Sequence, residues 1–234
     1  MKSKRVARCA YCGRSRLTTR DHVPPKGLFP PPRPPDLITV PICGRCNRGT
    51  PREDEYFRNM VAMHVNAADH PAAQAVLPSI WRSLERPQAR GLRTDLISHM
   101  QEVARMSPFG LYAGTMLRVD IDMNRIHAVA ERITRGLFYH HEGRPVPDDC
   151  LVSAMCVTGR TMEGDLQDHV FGLAQALNEH KTYDLGDGTF RYRFAHVEEE
   201  KKAPNSTVWL FSIYEAIEFI ALIVDASLEC PGTG

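Results

Sequence analysis

Two C-x2-C pairs, Cys9 with Cys12 and Cys43 with Cys46, stand thirty residues apart and constrain the first quarter of the chain more than any other feature. The start, MKSKRVARCAYC, carries charge without the apolar run of a secretory leader, so a cytoplasmic, reducing location is expected and disulfides explain the cysteines poorly. Four thiolates at this spacing fit a tetrahedral Zn2+ site with no coordination position left for water. Such a zinc is structural: it clips the ends of a loop that lacks a core of its own, and any chemistry must come from residues that the clip holds.

Charge is distributed unevenly. Residues 1–52 contain twelve Lys or Arg against Asp21 and Asp36, whereas the whole chain is only +1. A cationic segment joined to an acidic body suits a polyanion, because each phosphate neutralised by Lys or Arg releases condensed counterions. A solvated basic terminus is the plainer alternative. No apolar stretch is long enough to span a bilayer, so no membrane partner is expected.

The patterning predicts an α+β protein in three segments. Residues 1–66 form the zinc-stapled module: a strand over Arg16–Arg20 ends at Asp21 and His22, and the β-rich run Leu37–Val40 precedes the second knuckle. Thr50, Pro51 and Glu53 then read as a capping box opening a helix to about Asn66. Seven prolines in the twelve residues Pro24–Pro35 enforce a stiff, irregular excursion between the strands. Residues 67–107 read as a helical connector broken near Pro78 and Pro87. Residues 108–234 read as an α+β domain with a mainly antiparallel sheet. It has a strand over 110–122, a helix over 124–141, a strand over 150–158 and a helix over 165–180. A hairpin about Asp187 and Gly188 and one or two buried strands over 207–224 complete it.

The segments CAYCG, TTRDHVPP and CGRCN together resemble the HNH, or ββα-metal, nucleases, in particular those stapled by a zinc ion on four cysteines. The likeness covers about a quarter of the chain and implies a ββα fold for residues 1–66. It implies hydrolysis of phosphodiester bonds in DNA, with RNA as a second substrate class, and a restriction-like or phage-defence setting. By that resemblance His22 is the general base, and Asp21 and Asn47 supply oxygen ligands to a catalytic Mg2+ or Mn2+. The family's central asparagine has no clear counterpart; Asp36 stands nearest. Arg14, Lys26, Arg45 and Arg48 would contact phosphates around this site, or else are ordinary solvated cations.

The competing reading is a zinc module that binds nucleic acid or protein without catalysis, in which His22 makes only a structural hydrogen bond. Cutting both strands of a duplex with one metal centre per chain would call for a homodimer, and residues 108–234 are the natural surface for that or for a partner protein. Glu53, Asp54 and Glu55 are read as first-turn carboxylates complementing the helix dipole, His140 and His141 as cations at a helix end, and Cys150, Cys156 and Cys230 as buried thiols.

Overall fold

The computed structural model describes residues 5–107, 109–158, 165–197 and 203–225. They form an α+β protein with five α-helices and three antiparallel sheets.

Strands β1 (Arg5–Arg8), β2 (Ser15–His22) and β3 (Thr39–Cys43) pair in that order. The strand expected to carry Asp21 and His22 to its end is present. Its neighbour starts two residues later than the predicted run and continues into Cys43. The register sets Thr18 opposite Cys43 and His22 opposite Thr39, so the zinc knuckle and the Asp-His pair share one ladder. Pro24–Pro35 is irregular as predicted, apart from a single 3-10 turn at Lys26–Leu28, and it buries Leu28 and Phe29.

Helix α1 (Thr50–Ala62) differs from the expected capping box. Its cap is Gly49, whose φ of 86° is the left-handed conformation that glycine adopts without penalty. The Thr50 hydroxyl instead donates back to the Cys46 carbonyl at 3.0 Å, and Glu53 is drawn outward by Arg125 at 2.7 Å. A partner on a distant helix outcompetes the local cap. α1 ends at Ala62, four residues earlier than predicted, and a 3-10 turn follows at Val65–Ala67.

Residues predicted as one broken helical connector divide further. Helix α2 (Pro71–Leu84) runs through Pro78, because one missing amide costs less than unwinding a face on which Ile80 and Leu84 are buried. A 3-10 turn at Pro87–Ala89 leads into α3 (Arg90–Ser98). Met100–Met106, expected as helix, is strand β4, paired with β5 (Tyr112–Val119) in a two-stranded hairpin. Ladder pairing with the neighbouring segment, invisible to helical periodicity, decides that outcome.

The predicted helix over 124–141 is α4 (Met123–Glu142), which buries Ile126, Val129, Ile133 and Leu137 at the expected spacing. β6 (Cys150–Cys156), α5 (Asp165–Ala176), β7 (Tyr183–Leu185), β8 (Phe190–His196), β9 (Thr207–Ile213) and β10 (Ile217–Asp225) follow. The five strands form a sheet in the order β6-β10-β9-β8-β7. The β7–β8 turn uses Asp187 and Gly188 at positive φ, as its sequence predicts.

By compactness the chain divides into two units. One unit joins Met1–Val76 to Asn124–Gly234; the other is Leu77–Met123. Within the first unit, Phe57 of α1 meets Phe219 of β10 at 5.8 Å between ring centres, and the buried Tyr214 hydroxyl donates to the Leu28 carbonyl at 2.8 Å. Phe29 lies against Gly186. Each aromatic or leucine side chain so covered contributes roughly 1.5–3 kcal/mol, more than any surface ion pair. The N-terminal segment therefore borrows its core from the C-terminal sheet.

Candidate metal centre and the residues around it

Cys9 and Cys12 flank the tight knuckle after β1, and Cys43 and Cys46 flank the one after β3. Antiparallel pairing of the intervening strands brings the two knuckles together. The four sulfur atoms all lie within 4.8 Å of one another, and the Cys12 and Cys43 sulfurs are 3.8 Å apart. A regular tetrahedron with bonds of about 2.3 Å to zinc has edges of about 3.8 Å, so the set has the dimensions of a tetrathiolate zinc site. The Cys43 amide donates to the Cys9 sulfur at 3.4 Å, a bond that favours thiolate. Burial raises the Cys43 thiol, but hydrogen bonds from the Cys46 backbone and from the surrounding thiols outweigh it and bring the group down to about 6. Burial and those same neighbours push Cys46 far upward. Adjacent thiols that cannot all ionise alone form a site suited to a structural metal such as zinc.

Asp21 is half-buried on β2 and accepts a hydrogen bond from the Tyr11 hydroxyl at 2.7 Å. Burial, then the charge of Asp21, drives the Tyr11 hydroxyl well above its ordinary value, so it remains a donor. Asp54 on α1 is a second carboxylate in this field. Burial raises it, the guanidinium of Arg132 pulls it down, and the charges of Asp21 and Glu53 raise it again. Arg132 and Arg125 of α4 pair with Asp54 and Glu53 respectively. The first-turn carboxylates thus serve as anchors for α4, a role that a dipole argument from sequence could not supply. Tyr11, Arg125 and Arg132 were not singled out by sequence, because their partners lie ten or more than seventy residues away.

His22 closes β2. Consecutive strand residues point to opposite faces, so Asp21 and His22 leave the strand on opposite sides. Asn47 is exposed immediately after the second knuckle, its backbone amide bonded to the Cys43 carbonyl at 3.0 Å. Arg14 and Arg45 line one cavity together with Cys12 and Cys46. Lys26 and Arg48 are exposed. Asp36, the stand-in for the central asparagine, is exposed on the proline loop. Among the described residues, the four cysteines are the grouping of three or more His, Cys, Asp or Glu side chains with ligand atoms this close.

No known protein family, curated protein or solved structure matches the chain.

His140 and His141 do lie in the last turn of α4, yet burial lowers both instead of the helix dipole holding them charged. His141 is half-buried and ringed by Tyr183, Tyr192, Phe194 and Trp209. Cys150 and Cys156 are buried thiols; Cys230 lies outside the described residues. No helix among the described residues is long and apolar enough to cross a membrane.

Proposed function

We propose that this chain is a metal-dependent endonuclease that hydrolyses phosphodiester bonds of DNA, with Cys9, Cys12, Cys43 and Cys46 holding a structural Zn2+. The observation that carries the reading is the shared ladder: β2 presents Asp21 and His22 three and four residues beyond Thr18, which pairs with the cysteine knuckle at Cys43. A metal-clipped hairpin ending in an Asp-His pair, with Asn47 directly after the last cysteine, is an economical frame for this chemistry.

In that reading His22 takes the proton of a water molecule as its oxygen attacks phosphorus. The bond from phosphorus to the 3′ oxygen breaks, that oxygen takes a proton from solvent water and leaves as a hydroxyl, and the other product carries a 5′ phosphate. Asp21 and Asn47 offer hard oxygen donors that fit Mg2+ or Mn2+, and such an ion, when bound, supplies charge stabilisation for the phosphorane-like transition state.

One observation favours a second reading. Asp21 already accepts the Tyr11 hydroxyl, which gives this carboxylate a structural purpose without catalysis. A zinc module that binds nucleic acid without cutting it would look the same at this position.

Supercoiled plasmid and a single-stranded RNA, incubated with the protein in Mg2+, Mn2+ or EDTA, separate the two. Metal-dependent cleavage by the wild type, lost in His22→Ala while binding persists, is the expected result. Binding without cleavage in either metal supports the non-catalytic module.

A further inference from the structure

We infer that an arginine-lined groove between the cysteine knuckles and α4 seats the phosphates of a nucleic-acid strand, so that residues beyond 124 form one wall of the binding site. The inference rests on the reading of nucleic acid as substrate and extends it to a surface that the N-terminal segment does not contain.

Two cavities define the groove. The larger, about 600 Å3, has Arg14 and Arg45 on the knuckle side and Arg132 and Arg135 on α4. The smaller, about 270 Å3, adds Arg8 and Arg144. Both are lined by Cys12, Arg14, Pro147 and Asp148, which makes them one continuous depression. Six guanidinium groups face Glu131 and Asp148 as its acidic lining residues. The wall is built closely: a Cβ on Gly13 would sit 3.5 Å from Pro145, so the first knuckle abuts the loop after α4.

Of these six guanidinium groups, Arg132 is the one paired with a carboxylate among the described residues. Arg132 is held by Asp54, Arg8 donates to the Gly13 carbonyl at 3.0 Å, and Arg144 lies over the Phe138 ring. Among the described residues, the guanidinium groups of Arg14, Arg45 and Arg135 make no hydrogen bond or ion pair, although the charge of Arg135 lowers both Glu131 and Cys150. Like charges gathered in a concave, low-dielectric cleft repel one another and focus a positive potential into it. A run of anions relieves that repulsion, and the planar fork of arginine matches phosphate oxygens in pairs. Arg45 and Cys46 also place the groove within two residues of Asn47, so a strand lying in it leads toward the proposed reaction centre.

The test measures binding of a fluorescein-labelled DNA strand, its duplex and the RNA of the same sequence by anisotropy across a salt series. Wild type, Arg135→Ala/Arg144→Ala, the matching double lysine variant and His22→Ala are compared, each checked for metal content and circular dichroism. The double alanine variant should bind on the order of tenfold more weakly or worse. Its log–log salt slope should shrink by about 2, one unit for each phosphate no longer neutralised, and the lysine variant should recover most of that slope. The three probes report whether DNA or RNA fills the groove. Unchanged affinity and slope in the alanine variant overturn the groove, as does binding of poly-glutamate with no binding of any nucleic acid. Should the double variant lose its fold, Arg135→Gln alone carries the test, with a slope loss of about 1. Cleavage by wild type with unaltered binding in the variants refutes the groove and leaves the nuclease; binding abolished with the arginines, but no cleavage in any metal, refutes the nuclease and leaves the groove.

Discussion

Gly136 of α4 lies so near Val23 that a Cβ added to it would fall 2.5 Å from one methyl of Val23 and 3.0 Å from the other. Val23 directly follows His22, so α4 is packed against the end of the strand that carries the proposed base. Val23 is buried, and a β-branched side chain there has little rotamer freedom with which to yield. Gly136→Ala should therefore destabilise the protein by about 1–3 kcal/mol through overpacking, despite a helix-propensity gain of about 1 kcal/mol. Urea denaturation checks this, and Val23→Ala in the same chain should reverse the sign. A Gly136→Ala protein as stable as wild type refutes the close approach.

Metal removal should loosen the N-terminal sheet. With its four thiols within 4.8 Å of one another, the cluster should bind a single zinc ion, and Cys46→Ser or a chelator should leave the chain between the knuckles open to protease. Native mass spectrometry reads the metal, and limited proteolysis reads the loop. Identical masses before and after chelation would rule the site out.

Arg132 compensates the half-buried carboxylate of Asp54, whose pKa burial already raises. Arg132→Ala should cost about 1–3 kcal/mol at neutral pH by leaving that charge without its partner. In the variant Asp54 titrates higher still, so protonation on acidification favours the folded state and the deficit narrows as pH falls. Adding Asp54→Asn should recover much of the loss. A deficit independent of both pH and Asp54 would mean that the pair is not its source.

His141 is brought down to about 4 by burial, reinforced by the positive charges of His140 and Lys181, from an ordinary value of 6.5. Its ring packs among Tyr183 of β7, Tyr192 and Phe194 of β8, and Trp209 of β9, and its Nε2 is 3.0 Å from the Tyr192 hydroxyl. The folded state therefore binds fewer protons than the unfolded state between these two pH values. Its stability contribution is complete above 6.5 and is lost as pH falls toward about 4. His140, also lowered, contributes with the same sign. His141→Gln should flatten most of the decline in urea midpoint between pH 7 and pH 4; an unchanged decline would remove His141 as its cause.

The residues themselves determined the cysteine clip, the Asp187-Gly188 turn, the buried face of α4 and the strand ending in Asp21 and His22. Each depends on spacing within a few residues, where backbone geometry leaves few alternatives. Only the tertiary structure decided that Phe29 and Phe57 are covered by the C-terminal sheet, that Glu53 and Asp54 anchor α4 instead of capping α1, and that Arg14, Arg45 and Arg135 line one groove. Those contacts join residues some seventy to more than one hundred and fifty positions apart. Periodicity shows which face of an element is apolar, but the surface against which it packs is selected by burial summed over the whole unit, where each aromatic contributes more than a local cap.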